Sequence, residues 1–353
     1  MPKLPPRNGV RIERINTLLV DGNALFKRGY HGSHDAYNKN REHVGGIYQF
    51  ITVLRMLIKD NVYHRVYVMW DGNFSGKLRY DIYKDYKSGR GKNYEQGTEP
   101  EDKLEKLQQF KVKQYLYHLS IRQVEDEVVE ADDYIALYCQ EKDDNEDITI
   151  VTSDRDICQL IDTDIKIWLL DKRMYLTVDN YQEHFNHHLR NLALLKVIAG
   201  DNSDSIVGIK GVKERTLLKH FPFIAERETS LDEILTESNK IQEERASNKK
   251  KPLSALTNLL EANTDGIQGK QIYEINRQLV DLTTPMLTDT GIQHLYDVID
   301  TPLSTDREIK EVYKMLERDG VQDMIQEYHM TDYFLPFKKL IDREKRMTKT
   351  TTT

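Results

Sequence analysis

Cysteine is scarce in this chain of 353 residues, which contains only Cys139 and Cys158. Two thiols are too few for a zinc tetrad or a disulfide framework, so we expect both to be buried and reduced. The chain also lacks a long apolar run, and residues 1–7 lack the apolar segment of a secretory signal. These absences predict a cytoplasmic protein that makes no membrane contact.

Net positive charge is absent too, since 51 Lys and Arg face 58 Asp and Glu, a formal charge of −7. Taken alone, this balance argues against a nucleic-acid partner, but carboxylates that bind divalent ions would supply much of the excess. Successive side chains such as His187 and His188 point in different directions, so the histidines predict no zinc site. No Gly-x-Ser-x-Gly elbow is present, although a Ser-His-Asp site assembled from distant positions stays open.

Short apolar runs rich in β-branched residues predict buried parallel strands at residues 17–21, 65–71 and 148–154. Helical spacing of apolar side chains over residues 46–59 predicts a crossover helix between the first two strands. A further strand is predicted at residues 165–170. Because the functional crevice of an open α/β sheet lies at the carboxyl ends of its strands, the aspartates that end these runs should converge.

Nine carboxylates follow the predicted strands and helices: Asp21, Asp71, Glu130, Asp132, Asp133, Asp154, Asp156, Asp201 and Asp204. Carboxylates gathered at one site repel one another unless they are protonated or cations lie between them. Helix capping is the alternative for the acids that open helices, but it does not explain Asp201 and Asp204. Magnesium binds a few carboxylates and keeps waters for a phosphate substrate, so the set predicts a metal-dependent site for phosphodiesters.

The motifs that carry these acids occur in a fixed order along the chain. They are Val-Asp21-Gly-Asn, Trp-Asp71-Gly, Glu130-Ala-Asp132-Asp133, Thr-Ser-Asp154-Arg-Asp156 and Gly200-Asp201-Asn-Ser-Asp204. Over roughly residues 15–225, this order resembles the flap endonuclease and 5′ to 3′ exonuclease superfamily. Within it, the chain most resembles the phage ribonuclease H and phage 5′-nuclease enzymes. A phage-encoded member would act in the cytoplasm of the host cell.

The resemblance implies a PIN-like α/β nuclease domain with a mostly parallel central sheet and two metal positions. It implies that one ion is held by Asp21, Asp71, Glu130, Asp132 and Asp133. It places Asp154, Asp156, Asp201 and Asp204 around the other, some of them through water. We expect Mg²⁺ at both positions, with Mn²⁺ as an alternative.

Cations and tyrosines alternate between the second aspartate and the Glu-Ala-Asp-Asp motif. The cations include Lys77, Lys84, Arg90 and Lys92, and this mixture suits unpaired nucleic acid, although a solvated amphipathic helix is the alternative. The resemblance places Arg79, Tyr86 and Lys87 at the base of a helical arch over about residues 77–119, which includes a predicted helix at 101–119. It implies that Lys87 stabilises charge on the phosphate and that Tyr86 stacks near the scissile nucleotide.

A glycine-containing turn follows the last acidic pair, with Gly208, Lys210, Gly211, Lys213 and Arg215 as candidate nucleic-acid contacts. Glycines that open a helix let backbone N–H groups approach phosphates, although a simple loop is the alternative. The turn resembles the helix-hairpin-helix element with which these nucleases hold duplex DNA. Lys213 stands where relatives usually have glycine, so a potassium site at the turn is not inferred.

The C-terminal part of the sequence is less informative. Residues 230–252 are polar and predict an exposed insertion or mobile loop, in which Lys249 to Lys251 form a solvated charge run, with a contact to a DNA backbone as the alternative. Residues 273–282 resemble the late helix with which relatives pack back on the nuclease core. A further helix is predicted at 324–340, and a disordered tail at 345–353. A faint likeness to a sliding-clamp peptide within 327–334 lacks the leading glutamine, and an amphipathic helix explains the same spacing.

The acid cluster predicts a metal-dependent site for phosphodiesters, and the resemblance implies a monomeric structure-specific 5′ nuclease that removes RNA primers or 5′ flaps from duplex DNA during replication. The predicted domains are a nuclease domain at 12–205 and a helix-hairpin-helix element with a helical C-terminal region at 206–353. DNA with a 5′ flap or an RNA–DNA hybrid is the expected partner, with single-strand binding protein or a clamp as candidate replication partners. A PIN-type ribonuclease and a non-catalytic DNA-binding protein remain alternatives.

Overall fold

A mostly parallel sheet organises the first half of the chain in the computed structural model. The model describes residues 14–90, 103–265, 269–304, 306–325 and 330–349, without the side chains of Arg90 and of 346–349. The strands are β1 Ile15–Asp21, β2 Arg65–Asp71, β3 Arg122–Asp126, β4 Glu146–Thr152, β5 Ile165–Leu169 and β6 Met174–Leu176. In the described ranges they form one sheet in the order β3-β2-β1-β4-β5-β6, with β6 alone antiparallel to its neighbour.

Helices surround this sheet and continue to the end of the described chain. Those of the first part are α1 Gly22–Gly32, α2 Gly45–Asp60, α3 Lys77–Ile82, α4 Lys103–His118, α5 Ala131–Gln140, α6 Tyr181–His184 and α7 Leu192–Ala199. The later ones are α8 Glu214–His220, α9 Phe223–Glu226, α10 Leu231–Ser247, α11 Ser254–Glu261, α12 Gln271–Val280, α13 Asp289–Asp300, α14 Ile309–Arg318 and α15 Met330–Lys349. Short 3-10 turns cover Ser88–Arg90, Asp156–Leu160, Leu189–Asn191 and Val321–Ile325.

The strand register brings the predicted acids to one edge of the sheet. β1 lies between β2 and β4, with Asp21 opposite Met69 and Val20 opposite Val151. Because all three strands run parallel, Asp21, Asp71 and the residues after Thr152 emerge together. The four predicted strands and the crossover helix α2 are therefore confirmed, within a residue or two at their ends.

Separate apolar cores lie on the two faces of the sheet and beneath the later helices. On one face, α1, α2 and α4 pack with α14 and α15, and the rings of Phe50 and Trp70 stack at 5.6 Å. α5 and α13 cover the other face. A third core joins Tyr83 and Tyr86 to residues of α7 through α12. The first core thus contains side chains from both sides of the domain boundary predicted near residue 205. The boundary itself stays a prediction.

The segment at 230–252 is not the loop that its polarity predicted. α10 begins at a capping box, in which the Ser230 hydroxyl accepts from the Glu233 N–H while Glu233 accepts from the Ser230 N–H. Ile234 is fully buried in the third core, so a narrow apolar contact holds an otherwise charged helix. The mobile-loop alternative was wrong, because the capping box starts a helix that the polar composition does not indicate, whereas the segment is largely exposed as predicted.

The helices at the end of the chain agree with their predictions in part. α12 and α15 match the helices predicted at 273–282 and 324–340, although the latter is preceded by a 3-10 turn. α15 continues to Lys349 and so includes part of the segment predicted as a disordered tail, while 350–353 lie outside the described residues. No helix in the described ranges has the length and apolar character needed to cross a membrane.

Candidate active site

A cavity of about 1050 Å³ opens at the carboxyl ends of the strands. Eight of the nine predicted carboxylates line it: Asp21, Asp71, Glu130, Asp132, Asp154, Asp156, Asp201 and Asp204. Their elements are the ends of β1 and β2, the start of α5, the turn after β4 and the segment after α7. The convergence predicted from the strand pattern is therefore present in the fold.

The acids that end β1 and β2 are held by the elements beside them. Asp21 caps α1 by accepting the Ala24 N–H at 2.9 Å, and it also accepts from the Thr152 hydroxyl at 2.8 Å. Asp71 accepts the Ala131 N–H at 2.9 Å and an amide N–H of Asn23 at 3.0 Å. Burial and the nearby Asp71 carboxylate raise the pKa of Asp21 to about 7. A cation in the cavity would relieve this repulsion.

Asp132 differs from its neighbours because no other described residue gives it a hydrogen bond or an ion pair. It lies in the first turn of α5 and faces the cavity. Burial raises its pKa well above the ordinary value, and the charges of Asp154 and Asp21 raise it further. The carboxylate oxygens of Asp132 therefore remain available for a ligand that enters the cavity.

Lys87 contacts Glu130 on the wall of this cavity. Its ammonium donates to the Glu130 carboxylate, and its backbone N–H donates to the Asp204 carbonyl at 2.8 Å. Lys87 has a left-handed backbone with a φ of 55°. Burial would raise the pKa of Glu130, but Lys87 and Arg79 outweigh it and lower that pKa to about 2.

Lys196 was not predicted from sequence, yet it lines the cavity between two of the acids. Its ammonium contacts both Asp156 and Asp201. Burial and Asp154 raise the pKa of Asp156 to about 6, whereas Lys196 outweighs burial at Asp201 and lowers that pKa to about 2. Lys196 could have been predicted from sequence, because it is a charged residue inside the apolar run of α7, one turn before Gly200.

The predicted positions of Arg79, Tyr86 and Asp133 at the site need correction, because none of these side chains lines the cavity. Arg79 is 4% exposed and donates to both oxygens of Asp133, to Glu130 and to the Leu279 carbonyl. Asp133 also accepts the Met286 N–H at 2.8 Å, so its oxygens face protein groups rather than an ion. Tyr86 is 3% exposed, and its hydroxyl donates to Glu130 at 3.0 Å, which leaves its ring unavailable for stacking. These three side chains position Glu130 and α5 from behind.

The predicted basic segment is only partly brought to the site. Lys77 and Lys84 pair with Asp81 and lie near the ring of Tyr80 rather than in the cavity. The side chain of Arg90 and the whole of Lys92 lie outside the described residues, so their predicted contacts are not described. By contrast, the exposed side chains of Lys27 and Arg155 line the cavity although the sequence did not indicate them.

The predicted turn after α7 reaches the cavity through Lys213 and Arg215. A Cβ on Gly208 would lie 2.1 Å from the Ala199 carbonyl carbon, so this glycine allows close packing instead of a phosphate contact. Gly211 adopts a φ of 74° with open space around it. Lys210 pairs with Asp265 at 2.9 Å and does not line the cavity.

The donor set suits a divalent cation. No group of three or more His, Cys, Asp or Glu side chains is already arranged around one position in the described ranges. Lys87 and Lys196 instead neutralise three of the acids. Asp132 has no such partner, and hard cations bind carboxylate oxygens in such surroundings. The residues therefore fit a hard divalent cation that displaces the two lysines from these acids.

Known proteins resemble this chain in both sequence and fold. A family model described as "5′-3′ exonuclease, N-terminal resolvase-like domain" matches residues 16–186. The chain is 30% identical over 220 residues to the 5′-3′ exonuclease of Mycoplasmopsis pulmonis, covering 61% of this chain and 69% of that protein. It is 26% identical over 326 residues to DNA polymerase I of Caldicellulosiruptor bescii, covering 88% of this chain but only 34% of the polymerase.

Among solved structures, a flap endonuclease of bacteriophage T5 in complex with DNA and metal ions superposes with a TM-score of 0.59. The identity is 20%, and the match covers 81% of this chain and 98% of the phage protein. At this identity the likeness concerns the fold, and it confirms the predicted α/β fold class.

Proposed function

Because the chain belongs to the 5′-3′ exonuclease family, we propose that it is a structure-specific 5′ nuclease that hydrolyses phosphodiesters. Its proposed substrates are 5′ flaps or RNA primers on duplex DNA, as in replication. The proposed cofactor is Mg²⁺ at two positions, replaceable by Mn²⁺. The phage flap endonuclease in complex with DNA and metal ions supports this substrate class.

One observation carries the proposal: eight of the predicted carboxylates, one of which is Asp132 without a described partner, share a cavity with a set of cations. The cations on its walls are Lys27, Lys87, Arg155, Lys196, Lys213 and Arg215. A phosphodiester needs both kinds of group, since metal-binding acids activate water and cations neutralise the backbone. A DNA-binding protein without catalysis needs the cations but not a converging group of acids that repel one another.

The residues of the chain divide the chemical work. Bound divalent ions would lower the pKa of a water and stabilise charge on the phosphate. Hydrolysis would give a product with a 5′-phosphate. Asp21, Asp71 and Asp132 would hold such an ion at the ends of β1 and β2, while Asp154, Asp156 and Asp201 would serve the second position. Lys87, once released from Glu130, would donate to an oxygen of the reacting phosphate.

Substrate polarity tests the proposal directly. We would incubate the protein with end-labelled 5′-flap, matched 3′-flap, nicked-duplex and RNA–DNA hybrid substrates, with Mg²⁺ or with EDTA. The Asp132→Asn variant serves as the control for a contaminating nuclease. We expect cleavage near the junction of the 5′ flap, requiring Mg²⁺ and Asp132, and much slower cleavage of the 3′ flap.

Other outcomes would assign the protein differently. Equal cleavage of both flap polarities would favour a generic PIN-type ribonuclease or an unspecific nuclease. Binding of every substrate without any cleavage would favour a non-catalytic DNA-binding protein. A bulky block on the 5′ end, added before the enzyme, should slow cleavage, because an unpaired strand then cannot reach the covered site.

A further inference from the structure

The turn between α10 and α11 presents three adjacent lysines. Lys249, Lys250 and Lys251 are exposed, and none of them forms an ion pair with a described residue. Two carboxylates, Glu243 and Glu244, lie close by on α10, as does the cation of Arg245. We call residues 245–251 the lysine tip. It carries four cations, and the two nearest carboxylates in sequence precede it on α10.

Hydrogen bonds hold the lysine tip in one conformation. The Lys250 N–H donates to the Arg245 carbonyl at 2.8 Å, and the Arg245 side chain donates to the Lys251 carbonyl at 2.9 Å. Below the tip, Gln242 bonds both the N–H and the carbonyl of Leu253 at 3.0 Å. The lysines thus project from an ordered hairpin, so a partner would not have to order this backbone on binding.

Lys249 adopts a left-handed backbone with a φ of 53° at the end of α10. Glycine or asparagine takes this conformation with less strain, and glycine is the common residue where a helix ends in this way. A lysine here puts a positive charge at the apex of the hairpin at some conformational cost. This choice supports a use for the side chain itself.

The hairpin is joined to the turn that carries Lys213. The Asn258 side chain, halfway along α11, donates to the Lys210 carbonyl at 2.9 Å. The Lys210 N–H donates to the Asn263 carbonyl, just after α11, also at 2.9 Å. α11 has 8 residues and is about 12 Å long, and its two bonds to Lys210 lie at its middle and just beyond its end, so about 6–12 Å of helix separates the lysine tip from that turn. A B-DNA duplex rises about 3.4 Å per base pair, so this length corresponds to about two to four base pairs.

We propose that the lysine tip is a second contact for the duplex backbone, beyond the Gly208–Lys213 turn. This inference rests on the proposed function, because it extends the same duplex-binding surface. Lysines are compact point charges that bind phosphates without reading sequence. Exposed large apolar side chains, which dominate the centre of protein interfaces, are absent from the described residues 245–252. A phosphate backbone therefore fits this surface better than a folded protein partner.

The test compares a triple variant with a charge-matched control. In the first, Lys249, Lys250 and Lys251 are replaced by glutamine. In the control, Lys59, Lys338 and Lys339 are replaced by glutamine. These three are exposed and lack an ion pair with a described residue. They lie away from the cavity, since Lys59 is near the end of α2 and α15 bonds the Tyr63 carbonyl through Arg343.

Binding is measured by fluorescence anisotropy in EDTA, over a range of salt concentrations and duplex lengths. The tip variant should bind a long duplex about tenfold more weakly, with a salt slope shallower by up to about 2.7 if three phosphate contacts are lost. As the duplex is lengthened, the affinity of wild type should keep rising for about two to four base pairs after the affinity of the tip variant has levelled off. The control variant should match wild type.

Equal affinities and salt slopes for the tip variant and the control would overturn the inference. A loss for the tip variant that is the same at every duplex length would also overturn it, because the proposed contact is distant from the turn. The proposed function fails separately, if wild-type protein does not cleave the 5′-flap substrate with Mg²⁺. Circular dichroism of both variants confirms that the comparison is made on folded protein.

Discussion

Arg79 and Asp133 form a buried two-point ion pair, with guanidinium nitrogens 2.6 and 2.9 Å from the two carboxylate oxygens. The same Arg79 nitrogen also lies 2.6 Å from Glu130. This pairing fixes the first turn of α5, and it leaves the adjacent Asp132 directed into the cavity. Neighbouring acids in one motif therefore have opposite roles, one structural and one available to a ligand.

Asparagine substitutions should separate these two roles. Asp132→Asn should reduce Mg²⁺-dependent cleavage at least about 100-fold while metal-free stability holds or rises, since one repelling charge is removed. Asp133→Asn should instead lower the free energy of unfolding by about 3–5 kcal/mol, because Arg79 loses a buried partner. Thermal denaturation in EDTA and flap-cleavage rates measure both effects. Equal loss of stability in the two variants would contradict this division.

Lys87 and Lys213 should act on different steps. Lys87→Ala should slow single-turnover cleavage about 100-fold with little loss of binding, because a charge beside the phosphate acts mainly in the transition state. Lys213→Ala should weaken duplex binding and make the salt slope shallower by about 0.9, as expected for one lost phosphate contact. Identical kinetic defects in the two variants would refute the assignment.

Lys196 should stabilise the protein when no metal is bound. Lys196→Gln removes the cation between Asp156 and Asp201, so melting in EDTA should occur at a lower temperature. Added Mg²⁺ should then raise the melting temperature more in the variant than in wild type, because the ion no longer competes with the lysine. Lys142→Gln, which breaks a pair with Asp164, is the control and should not change the response to Mg²⁺.

Asp319 should make stability depend on acidic pH. Burial would raise its pKa, but hydrogen bonds from Arg318, Tyr115 and Lys111 outweigh burial and hold that pKa below the ordinary value. A lowered carboxyl pKa stabilises the fold above the unfolded pKa of about 4, and this contribution is lost as pH falls through the folded pKa. Asp319→Asn should therefore cost roughly 1–3 kcal/mol at pH 7.

The difference between wild type and Asp319→Asn should shrink as the pH is lowered below about 4. Urea denaturation at several pH values measures it. Glu311→Gln on the adjacent α14, which breaks an exposed pair with Lys314, should change stability little at any pH. A constant difference for Asp319→Asn across the whole range would show that its charge does not cause the effect.

The sequence predicted the strands that place the acids because those strands are buried on both faces and therefore apolar throughout. β3 was missed since only Val124 of its five residues is buried, and β6 was missed since it has only three residues. Both strands lie at the edges of the sheet, where a strand is less covered and therefore needs no continuous apolar pattern. Periodicity therefore identifies the centre of a parallel sheet better than its edges.

The acids of the site were predictable, but the partners of those acids were not. The resemblance places Arg79 and Tyr86 at the base of an arch above the site, yet both are buried, with their polar groups bonded to the carboxylates of Asp133 and Glu130. Lys196 is conspicuous as a charge in the apolar run of α7, but only the fold brings its partners Asp156 and Asp201 beside it. Such pairings join residues far apart in sequence, so no local pattern indicates them.

The close packing of Gly208 on the end of α7 has a consequence for where a strand is cut. The Ile209 N–H donates to the Ile198 carbonyl at 2.8 Å. In the loop between these two residues, the backbone groups of Asp201 and Ile206 donate hydrogen bonds to each other. The turn and the last acids therefore form one rigid piece of backbone. On the proposed function, product length is then measured by the protein, so an insertion between Asp204 and Gly208 would shift the cleaved bond, whereas a change of DNA sequence would not.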